Sequence, residues 1–294
     1  MHLDLSYVVL TAITLAAIYG LLAIGISIIW SSLAMINMAH GFTFAISGYG
    51  AWLVAQQVGN NAPLILAAGM LAGALSGAFI GAVAFLPLYD KVNFTLRSLI
   101  ATLAISLLGS QFLLWLFGPR VKALPKIFGF RNFHIAGAVA SADKLGTILC
   151  SGLLMLLTLL WARRSRRGLE IRAMMQNPEG AALVGIGLRS TAMSVMAVTG
   201  GLAGLAAVLL SQTYYVSPYS GLVPLLKGMI VALAGGLGSV AGALIAAVLV
   251  GFVEATTAVT LGGQYVLITQ FLFIIAVLLI RPRGIAGMLE TTRE

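Results

Sequence analysis

The stretch Leu5–Tyr89, LSYVVLTAITLAAIYGLLAIGISIIWSSLAMINMAHGFTFAISGYGAWLVAQQVGNNAPLILAAGMLAGALSGAFIGAVAFLPLY, contains no Asp, Glu, Lys or Arg. A helix rises about 1.5 Å per residue, so crossing a hydrocarbon core about 30 Å thick takes roughly 20 residues. The stretch holds about three such crossings with their turns. A soluble domain has nowhere to bury an uncharged segment of this length. The chain therefore reads as an all-α polytopic membrane protein. Its apolar runs are continuous, without the two-residue alternation of a membrane β-barrel.

The rest of the 294 residues extends the pattern. Sixty per cent are apolar and 9% charged, where an average soluble domain carries about 25%. The net charge of +9 gathers in a few short loops, which is the distribution that orients membrane proteins, so lipid and not nucleic acid is the expected partner. The one cysteine, Cys150, lies in an apolar run and permits no intrachain disulfide, and no metal-ligand spacing is present. Met1-His2-Leu3-Asp4 lacks the basic stretch of a cleavable signal, so the first span reads as retained.

Charges, Pro and Gly set the span limits. Apolar segments run over about 6–30, 42–58, 64–88, 97–117, 145–161, 191–211, 225–234, 240–260 and 264–280. They predict about eight to nine transmembrane helices in one membrane domain, 1–294, the count depending on whether the broken segments cross fully. Loop 118–144 carries Arg120, Lys122, Lys126, Arg131 and Lys144, with Phe128, Phe130 and Phe133. Loop 162–190 carries Arg163, Arg164, Arg166, Arg167, Arg172 and Arg189. One span separates the two loops, so they lie on opposite sides. The denser, 162–190, is expected in the cytoplasm and 118–144 outside. Two breaks look alike: a polar or Gly-rich kink followed by small residues, Gly41–Trp52 and Gly235–Gly251. They predict re-entrant or broken helices within an internal pseudo-repeat.

Loop 162–190 is richer than a connector requires. Leu169–Gln176 predicts one or two helical turns. Asn177-Pro178-Glu179 has the form of a helix start: Asn as cap, Pro in the first turn, an acid at the positive end of the dipole. A short helix over Gly180–Ile186 would follow. Two short helices beside a basic stop suggest a docking surface.

Glu179-Gly180-Ala181-Ala182-Leu183-Val184-Gly185 resembles the loop by which ATP-binding-cassette importer permeases grip their ATPase. Asn37-Met38-Ala39-His40-Gly41, followed by Ser47-Gly48-Tyr49, resembles a signature of the branched-chain amino acid permease family, with Met38 where the family often has Phe. Gly221-Leu222-Val223-Pro224-Leu225-Leu226-Lys227, then Gly235-Gly236-Leu237-Gly238-Ser239, resembles the second-half signature, and Arg281-Pro282-Arg283-Gly284 its closing motif. The likeness is to the LivH-like type and not to the longer second permease of such systems. It implies a bacterial inner-membrane subunit that works with a second permease subunit, two cytoplasmic ATPase subunits and a periplasmic solute-binding protein. Substrates in the family include branched-chain amino acids, aromatic acids, urea and short amides. The resemblance puts ATPase docking on Arg172, Asn177, Pro178, Glu179, Ala181, Ala182 and Gly185. No Gly-Lys pair occurs, so the chain has no phosphate loop of its own. No cofactor is expected on this chain, and ATP would be used by partner subunits.

Asn37, His40, Gly41, Lys227, Gly235, Gly236, Gly238 and Ser239 are the residues expected to line or brace a translocation path. Polar groups in a bilayer face the bundle interior. For Asn37 and His40 the alternatives are contact with solute and bracing of kinked backbone. Lys227 and Glu254 are the only formal charges between Arg189 and Arg281. They either pair or leave Lys227 to snorkel toward the interface. Gly69-x-x-x-Gly73-x-x-x-Gly77 and Gly200-Gly201-x-x-Gly204 read as helix-packing faces. An ion-coupled transporter acting alone would have only Lys227, Glu254 and His40 to titrate. An intramembrane enzyme would need carboxylate pairs, zinc ligands or a nucleophile motif, and none is legible.

Overall fold

The computed structural model describes residues 5–129, 131–135 and 138–286. Met1–Asp4 and Phe130, interpreted above, lie outside the described residues. The helices are α1 (Leu5–Leu33), α2 (His40–Val58), α3 (Ala62–Leu88, with a π turn at Gly81–Phe85) and α4 (Phe94–Phe117). A small antiparallel hairpin follows, β1 (Asn132–Ile135) and β2 (Ala138–Ser141), with Asn132 opposite Ser141. Then come α5 (Ala142–Arg164), α6 (Arg166–Gln176), α7 (Pro178–Leu183), α8 (Leu188–Ser211), α9 (Leu222–Gly235), α10 (Val240–Thr260) and α11 (Gly263–Ile280).

Among the described residues, seven helices are long and apolar enough to cross a membrane: α1, α3, α4, α5, α8, α10 and α11. Two more complete the bundle. α2 has 19 residues but is interior, its first turns buried between α3, α8 and α9. α9 has only 14 residues. The sequence estimate of eight to nine crossings corresponds to these seven and the two partial ones.

Contacts between loops fix the direction of each helix. Lys144 Nζ donates to Thr11 Oγ1 at 2.9 Å, Asn60 Nδ2 donates to the Lys126 carbonyl at 2.9 Å, and Lys122 pairs with Val216. The start of α1, the α2–α3 turn, loop 118–141 and loop 212–221 therefore share one face. On the other face Thr95 Oγ1 donates to the Ala34 carbonyl, Arg189 meets Asp90 at 3.3 Å, and Gly238 lies beside Ser31.

These directions reveal an inverted repeat. α1–α4 and α8–α11 run through the same sequence of crossings in opposite senses, and α5 is the extra crossing that inverts the second set. Packing obeys the exchange: α1 lies along α10 as α8 lies along α3, and α2 touches α8 as α9 touches α1. The glycines explain the closest pair. Gly73 on α3 and Gly200 on α8 lie so close that a Cβ on either would strike the other's carbonyl, and Gly69–Gly204 repeats the contact one turn away. Lipid tails are as apolar as leucine, so helices in a bilayer associate through such close packing and not through hydrophobic burial. α4, α5 and α11 lie at the periphery and expose Trp115, Leu149 and Leu279.

Candidate functional site

The pseudo-repeat is present, but its breaks are not both where the sequence suggested. The first is residues 34–39. Thr95, at the start of α4, holds Ala34, whereas the Met38 N–H donates to Thr102 Oγ1 at 3.1 Å, about two helical turns further in. The extended segment thus climbs into the bundle before α2 begins. Its counterpart is 212–221, which descends from the opposite face. There Gln111 Nε2 donates to Tyr219 Oη at 3.3 Å, and Gly221 ends against Gly41. The Gly235–Ser239 turn instead matches the α2–α3 turn. It lies at a helix end, where Ser239 Oγ caps α10 by accepting from Gly242 N, and Ile285 and Ala286 donate to Ala234 and Gly235. Periodicity and glycine content did not separate the two kinds of interruption, because both are small-residue breaks in apolar runs. Contacts separate them: Thr102 holds the inner end of 34–39 and Gly41 meets the inner end of 212–221, whereas Gly235–Ser239 caps a helix end.

Asn37 braces: its Oδ1 accepts from Ala39 N at 3.0 Å, and its carbonyl accepts from His40 N at 3.3 Å. His40 is the first residue of α2, 2% exposed, with its imidazole beside Gly25 of α1. In lipid, backbone that leaves a helix must be satisfied by protein, and this segment meets that need through Asn37 and Thr102.

Lys227 pairs and does not snorkel. Its Nζ donates to Glu254 Oε1 at 2.7 Å and to Tyr19 Oη at 3.0 Å, Tyr19 Oη donates to Glu254 Oε1 at 3.1 Å, and Gln270 Nε2 donates to Glu254 Oε2 at 2.8 Å. One buried carboxylate thereby ties α1, α9, α10 and α11 together. Tyr19 and Gln270 carry no charge and were not legible as partners. A polar residue in a long apolar run is their only signal.

The 165–187 loop folds as two capped helices. Ser165 Oγ accepts from Gly168 N at 2.9 Å, and Asn177 Oδ1 accepts from Gly180 N at 2.9 Å. Arg172 is turned back, donating from Nη2 to the Arg163 carbonyl at 3.0 Å. Ala181 is buried and anchors α7, while Pro178 is half-buried and Glu179 and Ala182 face outward. Gly185 has φ +86°, a left-handed turn that ends the helix sooner than the expected Ile186. Beyond the anticipated residues, Leu183 and Val184 are 89% and 78% exposed. Two large apolar side chains thus stand exposed at the end of α7, in an otherwise basic loop. Glu179, in the first turn of α7, lies within electrostatic reach of Tyr89. Its phenol is pushed above the ordinary 10 first by burial, then by the carboxylates of Asp90 and Glu179.

No cluster of His, Cys, Asp or Glu able to hold a metal occurs among the described residues.

Residues 8–280 match the family described as branched-chain amino acid transport system, permease component. The chain is 29% identical to the high-affinity branched-chain amino acid transport system permease protein LivH of Escherichia coli (strain K12), covering 96% of this chain and 95% of that one. It is 30% identical to the corresponding permease protein BraD of Pseudomonas aeruginosa, with the same coverage. A probable LivH of Methanocaldococcus jannaschii is 27% identical over 94% of this chain and 91% of its own. Among solved structures, PsaBC from Streptococcus pneumoniae in complex with Fab superposes with a TM-score of 0.54 at 15% identity, covering 95% of this chain and 92% of that one. That likeness shows the fold.

Proposed function

This chain belongs to the branched-chain amino acid permease family of ATP-binding-cassette importers, and from that premise we propose that it moves branched-chain or related amino acids by alternating access. It is a multi-pass bacterial membrane protein of a transport family, not of an enzyme family, and its family works in association with other components of the importer. In our reading those components are a second permease, two cytoplasmic ATPases and a periplasmic binding protein. The 165–187 face is cytoplasmic, and loops 118–141 and 212–221 face outward. ATP acts on the partner ATPases, and this chain transmits their motion.

The observation that carries the proposal is the α7 tip: Leu183 and Val184 exposed on a capped helix that Ala181 roots in the bundle. A seated knob moves as a unit with the helices beneath it. The axis of that motion is the meeting of α2 and α9. Each helix begins inside the bundle and runs to the opposite face, so rocking one repeat against the other opens one side as it closes the other.

Leucine uptake by cells carrying Leu183→Asp or Glu179→Ala in place of the natural chain tests the docking. Each substitution should lower uptake about tenfold or more while membrane-inserted protein stays constant. Undiminished uptake by both variants would remove the knob from the mechanism.

A further inference from the structure

On the face assigned to the outside, a cavity of about 300 Å³ opens between α1, α5 and α8. Ile18 and Leu209 give it apolar walls, and Lys126, Asp143 and Lys144 bring charges of both signs. Asp143 stands in the first turn of α5 and is 8% exposed. Its Oδ2 lies 3.6 Å from Lys126 Nζ, longer than the roughly 2.7–2.9 Å of a charge-assisted hydrogen bond. Its Oδ1 accepts no hydrogen bond. Lys144 is held at the rim by α1, donating to Thr11 Oγ1 and lying 4.3 Å over the Tyr7 ring.

An acid in a first helical turn is accounted for by the dipole. The dipole does not account for an oxygen without a donor, since buried polar atoms are nearly always bonded. A carboxylate torsion is broad and two-fold, so a small turn presents that oxygen to the cavity.

We propose that the cavity is an outward-facing site for a free zwitterionic α-amino acid. The ligand ammonium donates to Asp143, the ligand carboxylate accepts from Lys126, and the side chain rests on Ile18 and Leu209. One carbon separates the two charged groups of an amino acid, leaving nitrogen and oxygen about 3 Å apart. That spacing matches the Lys126–Asp143 separation and closes a ring of alternating charge. A lone anion meets the Asp143 carboxylate, and a lone cation meets two lysines. The choice of an amino acid among zwitterions rests on the transport reading above. A phosphoethanolamine head group has the same two charges on a longer linker. The site gives the permease a selection step of its own.

The test is equilibrium binding of radiolabelled L-leucine to the full chain in nanodiscs of phosphatidylcholine and phosphatidylglycerol, without binding protein or nucleotide. Binding should saturate. Leucinamide, which lacks the carboxylate, and 4-methylpentanoate, which lacks the ammonium, should displace it about tenfold less well than leucine. These arms use the unaltered protein. Asp143→Asn should weaken leucine binding by about tenfold. Absence of saturable binding, displacement by either analogue as effective as by leucine, or unchanged affinity in Asp143→Asn overturns the proposal. So does loss of the leucine signal on adding phosphatidylethanolamine, which marks a lipid site. Leucine uptake by cells separates the two readings. Import without binding to the purified chain refutes the cavity alone, and failure to import any amino acid refutes the transport reading.

Discussion

Gly41 and Gly221 lie backbone against backbone where α2 and α9 both begin. The two helices leave this point for opposite faces, so the contact is the centre of the inverted repeat. A Cβ on Gly221 would strike the Gly41 carbonyl. Overpacking of this kind costs about 1–3 kcal/mol. Gly221→Ala should therefore lower the unfolding midpoint in detergent and reduce uptake. Gly152→Ala on α5, where nothing lies within 4 Å, should do neither. Equal behaviour of the two variants would remove the pivot role.

The Lys227–Glu254 pair makes a second prediction. Taking one partner from a buried ion pair leaves an uncompensated charge and costs about 3–5 kcal/mol, whereas replacing both by apolar residues is often close to neutral. Lys227→Met and Glu254→Leu should each destabilise strongly. The double variant should recover most of the loss, leaving Tyr19 and Gln270 as the remaining unpaired groups. A double variant as unstable as the sum of the singles would show that the network is held by something other than the pair. Stability against denaturant in mixed micelles is the measurement.

The α3–α8 crossing depends on Gly73 and Gly200. Gly200→Val forces the helices apart along the line that also holds Gly69 and Gly204. We expect a loss of at least about 2 kcal/mol and poor accumulation in the membrane. Gly263→Val, in open space at the start of α11, is the matched substitution that should accumulate normally.

Tyr89 reports where the first turn of α7 sits. Burial, Asp90 and Glu179 all favour its neutral form. Its phenol should titrate above 10, seen as the ultraviolet difference between the natural chain and Tyr89→Phe. Because the folded value is the higher one, the associated stability is complete below pH 10 and is lost as pH rises through the folded value. Glu179→Gln should bring the titration part of the way back toward 10. An unmoved titration would separate α7 from the end of α3.

The sequence by itself determined the class of molecule, because the hydrocarbon core permits so few solutions: long uncharged runs must be helices, and charges mark their ends. It also determined local chemistry that needs no distant partner. The Asn177 cap depends only on neighbouring residues. Tertiary structure alone decided which break answers which. The sequence matched Gly41–Trp52 with Gly235–Gly251, but depth in the bundle is set by packing. Segment 34–39 is held by α4, and 212–221 by Lys122, Gln111 and Gly41. It also decided the fate of Lys227, which had a partner or a path to the interface until Tyr19, Glu254 and Gln270 came together from three other helices. Tyr19 and Glu254 are 235 positions apart in the chain. No local pattern encodes such a meeting, because the cost of burying each group depends on all the others being present.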